Sequence, residues 1–307
     1  MSQAIEAASP RPGAAPAEPI QADWELDYYS RPILEPEGKK RWELLICSTP
    51  LPGSTPEACF RWALNCPAAS VNSAWLREAL AQALAAAAEA GFAAPRRLRC
   101  WRGSMRTMVQ RAAEPLGLEV VPSRRCYSLV EWLQERMATV YPAEEGFMAG
   151  PLAPPPLPIQ PLAVPLPEAA RGDRWSWASL PLGALRDASE WEVSFAGLVP
   201  LPAHLDDSVM VSGLRLFSAS RSLAIAGWLA GLEPVRLEVD GQQLVLEAGM
   251  EDRWLLGNLE PEEAAAAREA FLAARAQAAG IQFIAVQRSE EQPGFDGFWI
   301  LRDLADA

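Results

Sequence analysis

Large apolar residues alternate with polar ones in two segments near the start of the chain. Over residues 24–29, Trp, Leu and Tyr alternate with Glu, Asp and Tyr, and over 42–47, Trp, Leu and Ile alternate with Glu, Leu and Cys. Successive side chains of a strand point to opposite faces, so a period of two predicts two strands. The intervening segment 36–39 has turn chemistry, since Gly38 can adopt positive φ. The sequence therefore predicts that the fold opens on an antiparallel hairpin.

Strand and helix patterns then follow one another up to residue 140. Asn72 is a good N-cap, and apolar residues at helical spacing continue from it to Gly91. The predicted elements are strand 60–64, helix 72–91, strand 96–101, helix 104–116, strand 118–121 and a helix over 129–140 capped by Ser128. By analogy of element order, this half is predicted to be a ribonuclease-H-like five-stranded mixed sheet with flanking helices.

Proline divides the chain. Residues 151–167 hold eight prolines in seventeen positions, which can neither continue a helix nor pair inside a sheet. Such a run forms a semi-rigid spacer. We therefore predict two α/β domains of mixed sheets with flanking helices. The bounds are a disordered tail over 1–23, an N-terminal domain over 24–142, a Pro-rich linker over 143–172 and a C-terminal domain over 173–304.

The second half is predicted to resemble the first. In both, antiparallel strands precede an Ala-rich helix, a glycine and another strand, as in 79–96 and 264–281. The predicted strands lie at 175–180, 191–195, 235–239, 244–248, 254–256, 281–286 and 297–301, and the predicted helices at 218–230 and 261–280. We therefore expect the C-terminal domain to be a similar α/β module.

Charge is distributed unevenly between the halves. The whole chain of 307 residues has a net charge of −12, which argues against a generally basic nucleic-acid-binding surface. Residues 24–142, however, hold 15 Lys/Arg and 12 Asp/Glu, a net of +3, whereas residues 143–307 hold 11 and 24, a net of −13. A polyanion is therefore expected to contact the N-terminal half, and the acidic half is either a partner surface or a source of solubility.

Several chemistries are excluded by what the sequence lacks. The five cysteines include no CxxC pair, and His204 is the single histidine, so no zinc site is predicted. There is no Gly-rich phosphate loop, no GxSxG and no SxxK, the only lysines being Lys39 and Lys40. The Ala/Pro-rich start has no basic, apolar signal pattern, and no apolar run reaches membrane-spanning length. We expect a cytoplasmic protein with reduced cysteines and no cofactor.

A metal-dependent nuclease is the remote enzymatic alternative. Asp27 lies mid-strand and Glu78 lies one turn into the first long helix, where two-metal hydrolysis would need carboxylates. The fourth predicted strand, 96–102, should supply another, yet it holds no acidic residue. The competing interpretation is that Asp27 pairs with a nearby arginine and Glu78 is solvated. We therefore predict no catalytic residue and no metal ligand, and hence no enzyme.

Arginines gather in one region of this acidic chain. Six lie within the sixteen residues 96–111, and two more precede Tyr127. Arginine binds phosphate through its planar fork, and aromatic rings stack on unpaired bases. The candidate RNA-binding residues are Arg96, Arg97, Arg99, Trp101, Arg102, Arg106, Arg124, Arg125 and Tyr127. Two alternatives stay open: the arginines form ion pairs with the acidic half, and Trp101 is a core residue.

Short blocks along nearly the whole chain, from about 24 to 301, resemble one family. They are Trp24–Pro32 (WELDYYSRP), Arg41–Ile46 (RWELLI), Asn72–Leu76 (NSAWL), Ser123–Leu129 (SRRCYSL), Trp132–Arg136 (WLQER), Val140–Pro142 (VYP), Ala226–Pro234 (AGWLAGLEP), Leu246–Gly249 (LEAG), Asp252–Trp254 (DRW), Phe283–Gln287 (FIAVQ) and Gly297–Trp299 (GFW). In this order they resemble the cyanobacterial and plastid RNA-binding proteins needed for photosystem biogenesis. That family is typified by the chloroplast translation activator of a photosystem I reaction-centre mRNA.

This resemblance implies a non-catalytic factor that binds A/U-rich single-stranded leader RNA. It also implies promotion of the translation and biogenesis of photosystem I subunits and, as an extension of this role, of photosystem II subunits. The expected partners are RNA and, beyond it, the translation machinery or photosystem assembly factors. The resemblance carries no residue-level map of an RNA site. The alternative function is a scaffold or assembly factor that binds polypeptides through the acidic half.

Overall fold

One five-stranded mixed sheet forms the N-terminal half. The computed structural model describes residues 22–50, 58–149, 161–187, 199 and 201–303. Its first five strands are β1 (Trp24–Leu34), β2 (Lys40–Ser48), β3 (Arg61–Cys66), β4 (Arg97–Cys100) and β5 (Glu119–Pro122). They lie in the order β3-β2-β1-β4-β5, with β2 antiparallel to β1 and β3, and β4 parallel to β1 and β5. The predicted opening hairpin is confirmed, with Gly38 at a φ of 77° in its turn.

Helices cover both faces of this sheet. They are α1 (Ser73–Glu89), α2 (Arg106–Ala113) and α3 (Tyr127–Thr139). Trp24, Leu26 and Tyr28 pack into the core beneath α1 and α2, as their alternation predicts. On the opposite face, Leu45 and Cys47 pack against α3. Both faces of β1 are therefore buried, including the face that carries its acidic residues.

The helix ends show which capping predictions hold. The Asn72 side chain accepts a hydrogen bond from the Trp75 N–H at 2.9 Å, which confirms the predicted cap of α1. The prediction of Ser128 as the cap of α3 is wrong, because this helix already begins at Tyr127. The Glu25 carboxylate on β1 instead accepts the Leu129 N–H at 2.8 Å. An acceptor from a neighbouring strand thus satisfies one of the free N–H groups in the first turn.

Two four-stranded sheets build the C-terminal half. The strands are β6 (Val164–Pro165), β7 (Arg174–Pro181), β8 (Met210–Phe217), β9 (Pro234–Asp240), β10 (Gln243–Ala248), β11 (Asp252–Asn258), β12 (Ile281–Gln287) and β13 (Gly297–Arg302). The helices are α4 (Leu182–Arg186), α5 (Ser222–Gly231) and α6 (Pro261–Gln277). The sheet orders are β6-β11-β10-β9 and β13-β12-β8-β7. All three sheets of the described chain are mixed, which confirms the predicted α/β class.

The two halves differ in topology. The N-terminal sheet is a single five-stranded one, whereas the C-terminal half divides its strands between two sheets of four. The expectation of a similar second module is therefore not met at the level of strand order. The sequence pattern also missed β8, and the predicted strand over 191–195 lies outside the described residues.

Segments assigned to the tail and linker carry structure where they are described. Asp23, placed in the predicted tail, is only 3% exposed. In the predicted linker, β6 pairs in parallel with β11, and Arg253 donates to the Pro161 carbonyl oxygen at 3.1 Å. Proline is compatible with such an edge position because no further N–H is needed there. No helix within the described ranges is both long and apolar enough to cross a membrane.

Candidate nucleic-acid interface

The arginine-rich segment is strand β4, and its alternation divides its side chains between two environments. Leu98 and Cys100 are buried in the core beneath α1 and α2. Arg97 and Arg99 occupy the alternate positions, and Arg99 is only 3% exposed on the other face. The arginines of this strand therefore do not form one continuous exposed row.

Asp23 gathers three arginines at the amino end of β4. Its carboxylate lies 3.0 Å from Arg96 Nε, 3.4 Å from Arg97 Nε and 2.9 Å from Arg99 Nε. Arg96 keeps 54% of its side chain exposed and Arg97 keeps 26%. Sequence analysis missed Asp23 because its position in the Ala/Pro-rich start gives no sign of burial. A buried carboxylate thus holds in place two arginines whose side chains reach solvent.

Arg102 is fixed at the carboxyl end of β4. Its Nε lies 2.7 Å from Asp27 Oδ1, and its guanidinium stacks 4.1 Å from the ring centre of Tyr29 and 4.6 Å from that of Trp101. Arg102 is 9% exposed and Trp101 is half-buried. The aromatic contacts that the sequence suggested are therefore present, but they join protein groups to one another. Arg106, by contrast, is exposed at the start of α2.

Asp27 is engaged by arginines on two sides. Besides Arg102, it binds Arg31, whose Nη1 lies 2.8 Å from Asp27 Oδ2, and both of these side chains are fully buried. Glu78 is exposed on α1. These contacts are those expected from the ion-pair interpretation of Asp27. Over the described ranges, no group of three or more His, Cys, Asp or Glu residues is placed to hold a metal ion.

The loop after β5 joins the two halves of the protein. Ser123 Oγ donates to Glu233 at 2.5 Å, and Arg99 binds the same carboxylate. Arg124 Nη1 lies 2.9 Å from Glu247. Burial acts to lower the pKa of Arg99, but the Glu233 carboxylate overcomes this effect and raises it above its ordinary value. The basic loop thus meets acidic residues of the C-terminal half, as the ion-pair alternative proposed.

Arg125 and Tyr127 continue this junction into the protein interior. Arg125 Nη2 donates to the carbonyl oxygens of Pro234 at 2.7 Å and Ile300 at 3.4 Å. Burial lowers the pKa of Arg125. Tyr127 is 1% exposed and packs among apolar residues of the C-terminal half, including Phe283. Neither side chain presents a surface to solvent.

The nine candidate residues therefore separate by exposure, which corrects the picture of a single surface patch. Arg96 and Arg106 are exposed, and Arg97, Trp101 and Arg124 are half-buried. The four buried members are Arg99, Arg102, Arg125 and Tyr127. Arg96 directly precedes β4, whereas Arg106 begins α2 after the carboxyl end of that strand. The exposed charge is consequently placed at two separate points, and the role of all nine in RNA binding stays a prediction.

The remaining motif residues occupy ordinary positions. His204 lies exposed in a loop, as expected of a surface histidine. Cys47, Cys66, Cys100 and Cys126 are buried free thiols. Burial raises the pKa of Cys100 to about 12, so it remains protonated at neutral pH.

Comparison with known proteins covers both halves. Residues 23–136 match the family described as RNA-binding protein Tab2/Atab2 N terminal, and residues 154–302 match its C-terminal domain. The chain is 37% identical to the chloroplastic protein TAB2 homolog of Zea mays over 292 residues, covering 92% of this chain and 72% of that protein. It is 32% identical to the chloroplastic TAB2 homolog of Arabidopsis thaliana over 292 residues, covering 92% of this chain and 75% of that protein. No solved structure matches the chain, so the ribonuclease-H-like assignment stays a prediction.

Proposed function

The chain belongs to the Tab2/Atab2 family of RNA-binding proteins, and on this premise we propose that it is a non-catalytic RNA-binding factor. The observation that carries the proposal is the match of both halves, in order, to the two domains of that family. The RNA is an A/U-rich single-stranded leader segment. Binding of this RNA promotes the translation and biogenesis of photosystem I subunits, and the same role extends to photosystem II subunits. The protein acts in the cytoplasm of a bacterial cell.

Phosphate contacts are assigned to the two exposed arginines and to the half-buried Arg97. Arg96, Arg97 and Arg106 have side chains that reach solvent, and each can neutralise a phosphate without breaking the contacts between the halves. Asp23 orients Arg96 and Arg97 at the amino end of β4. Their remaining N–H donors can therefore face solvent. This arrangement supports contacts between arginine side chains and the phosphate backbone of a single-stranded RNA.

The candidate residues that contact the C-terminal half or neighbouring aromatic rings have a positioning role in this proposal. Arg99 and Arg124 bind acidic residues of the C-terminal half, and Arg125 donates to its backbone. Together with Tyr127 they hold the two halves in one arrangement. Arg102 fixes Trp101 and Tyr29 at the other end of β4. RNA affinity then depends on them indirectly, through the geometry of the surface.

The test is fluorescence anisotropy with a short A/U-rich single-stranded RNA and a G/C-rich control, at several salt concentrations with Mg²⁺ present. The proposal predicts tighter binding of the A/U-rich probe, loss of affinity with rising salt because counterions are released, and a probe that remains intact. No binding at low salt would refute RNA binding and favour the alternative that the acidic half binds polypeptides. Cleavage of the probe would refute the non-catalytic assignment.

A further inference from the structure

A pocket opens beside the edge strand β7 of the C-terminal half. Its volume is about 320 Å³, and its walls come from β7, β8, β12 and the loop before β13. The side chains that shape it are Leu180, Arg215, Phe283, Gln287 and Phe295. Phe283 is buried and lies against Gly213, where an added Cβ would come within 2.5 Å of its ring. The absence of a side chain on Gly213 allows this close packing.

The charge of this pocket is opposite to that of the half that carries it. Residues 143–307 have a net charge of −13, yet Arg215 is the one charged residue among those lining the pocket. A larger cleft between β9 and α6 contains arginines too, but Glu238 and Asp240 line it with them. A phosphate-bearing ligand is therefore better accommodated beside Arg215 than in the larger cleft.

Arg215 and the loop around the pocket are held in place. Arg215 Nε donates to Gln287 Oε1 at 2.7 Å, and its guanidinium lies 4.7 Å from the ring centre of Phe217. The Gln287 amide donates in turn to the carbonyl oxygens of Gln292 at 3.0 Å and Gly294 at 3.1 Å. The loop bearing Phe295 is thus tied to the sheet, which lowers the entropy lost when a ligand binds.

The edge of β7 that faces away from β8 adds backbone donors and acceptors. β7 pairs with β8 in an uninterrupted antiparallel register, and the Leu182 N–H donates to the Val209 carbonyl at 2.8 Å in the same register. Because hydrogen-bonded residues alternate along such a pair, the N–H and C=O groups of Trp177 and Ser179 face away from β8. No strand in the described part of the chain pairs with that edge. These groups border the pocket and can hydrogen-bond to a flat polar ligand.

We propose that this pocket binds one unstacked base of a single-stranded RNA, with the adjoining phosphate on Arg215. The Phe295 ring, which packs against Phe298 with ring centres 5.2 Å apart, supplies a stacking surface on its outer side. The backbone groups of Trp177 and Ser179 that face away from β8 hydrogen-bond to the base edge. This inference rests on the proposed RNA-binding function and adds a base-binding site in the acidic half. Arg96, Arg97 and Arg106 would then contact the phosphate backbone elsewhere on the same RNA molecule.

Two substitutions and one matched control test the site through RNA affinity. Phe295→Ala removes the stacking surface and is expected to weaken binding of an A/U-rich RNA by about 5- to 100-fold. Arg215→Gln removes one phosphate contact and is expected to lower the slope of log affinity against log salt by about 0.7. Arg288→Gln removes a charge from an exposed residue of the same loop that does not line the pocket, and should change neither quantity.

A titration of the unsubstituted protein avoids dependence on how the variants fold. Uridine 5′-monophosphate is expected to shift the NMR resonances of residues around Phe295 and Ser179, whereas ribose 5-phosphate, which lacks a base, is not. Normal RNA binding by both variants, with no shifts from the mononucleotide, would overturn the pocket and leave the proposed function intact. Mononucleotide shifts without any RNA binding would refute the proposed function and, with it, the assignment of the pocket to a base of RNA, leaving a site for free nucleotides. If the protein bound neither the RNA nor the mononucleotide, both the pocket and the proposed function would be refuted.

Discussion

Arg99 of the N-terminal half binds Glu233 of the C-terminal half, and both side chains are largely buried where they meet. Glu233 also accepts the hydrogen bond from Ser123, so one carboxylate joins strand β4 and the loop after β5 to the second half. Because charged groups removed from water are costly unless paired, this junction fixes the relative position of the halves. The arginine cluster is thus first a structural feature.

Removing the charge of Glu233 should weaken the folded state. Glu233→Gln leaves the buried Arg99 guanidinium without its closest carboxylate, and we expect a loss of about 2 kcal/mol in the free energy of unfolding. Urea denaturation followed by tryptophan fluorescence measures it. Glu251→Gln, in an exposed turn, is the control and should change the stability by about 0.5 kcal/mol or less. Equal effects of the two substitutions would contradict a stabilising junction.

Glu25 should make stability depend on pH in a definite direction. Burial raises the pKa of Glu25 from 4.5 to about 7, although the hydrogen bonds from the Leu129 N–H and Thr49 act to lower it. The folded protein therefore holds this proton more tightly than the unfolded chain. The contribution of Glu25 to the free energy of unfolding is therefore largest at low pH. It falls by roughly 3 kcal/mol as pH rises from 4.5 to about 7 and is constant above pH 7.

Glu25→Gln isolates this effect, because the amide oxygen can still accept the Leu129 N–H but does not titrate. The free energy of unfolding of the variant relative to the original protein should rise across that pH window. Urea denaturation at half-unit pH steps gives both curves, and their difference cancels all other titrating groups. Parallel curves would show that Glu25 has an ordinary pKa.

Two glycines that end Ala-rich helices should respond differently to alanine. Gly91 has a φ of 84° and open space around a built Cβ, whereas at Gly280, with a φ of 82°, a Cβ would lie 2.0 Å from the Asp303 carbonyl oxygen. Gly91→Ala should cost about 1 kcal/mol for the left-handed backbone alone. Gly280→Ala should cost about 3 kcal/mol or more, since backbone atoms must also move. Equal shifts in melting temperature would contradict the close approach of Asp303.

Asp27→Asn separates the structural from the catalytic interpretation of this carboxylate. Asp27 lies between Arg31 and Arg102, so the substitution should lower the free energy of unfolding by about 3–5 kcal/mol. A labelled RNA incubated with Mg²⁺ should remain intact with both the original protein and the variant. Cleavage by the original protein that the variant abolishes would instead support the nuclease alternative.

Local patterns predicted most of the elements because each depends on near neighbours. The Trp24–Tyr28 alternation, the Asn72 cap and the turn at Gly38 are all set within a few residues, and all are confirmed. Strand β8 was missed because Gly213 interrupts its apolar pattern. That glycine is required by Phe283, which packs on it from a strand 70 residues later. Such a requirement is invisible along the sequence.

In the candidate site, contacts between residues far apart in the sequence are even harder to predict from local patterns. Composition correctly indicated where arginine and aromatic residues gather, but exposure depends on partners far along the chain. Asp23, Glu233 and Glu247 pair with arginines 73 to 134 residues away, and no local pattern marks them as partners. The pocket beside β7 depends on four separate segments and gave no sequence signal at all.

RNA affinity of a variant lacking the three arginines assigned to phosphate contacts tests the account most directly. We would compare Arg96→Gln/Arg97→Gln/Arg106→Gln with Arg171→Gln/Arg268→Gln/Arg288→Gln, which removes three exposed charges from the acidic half. Anisotropy with an A/U-rich RNA should show binding by the original protein. The first variant should lower its salt slope by about 2, and the second should leave it unchanged. Unchanged slopes in both, or no binding by the original protein, would contradict the account.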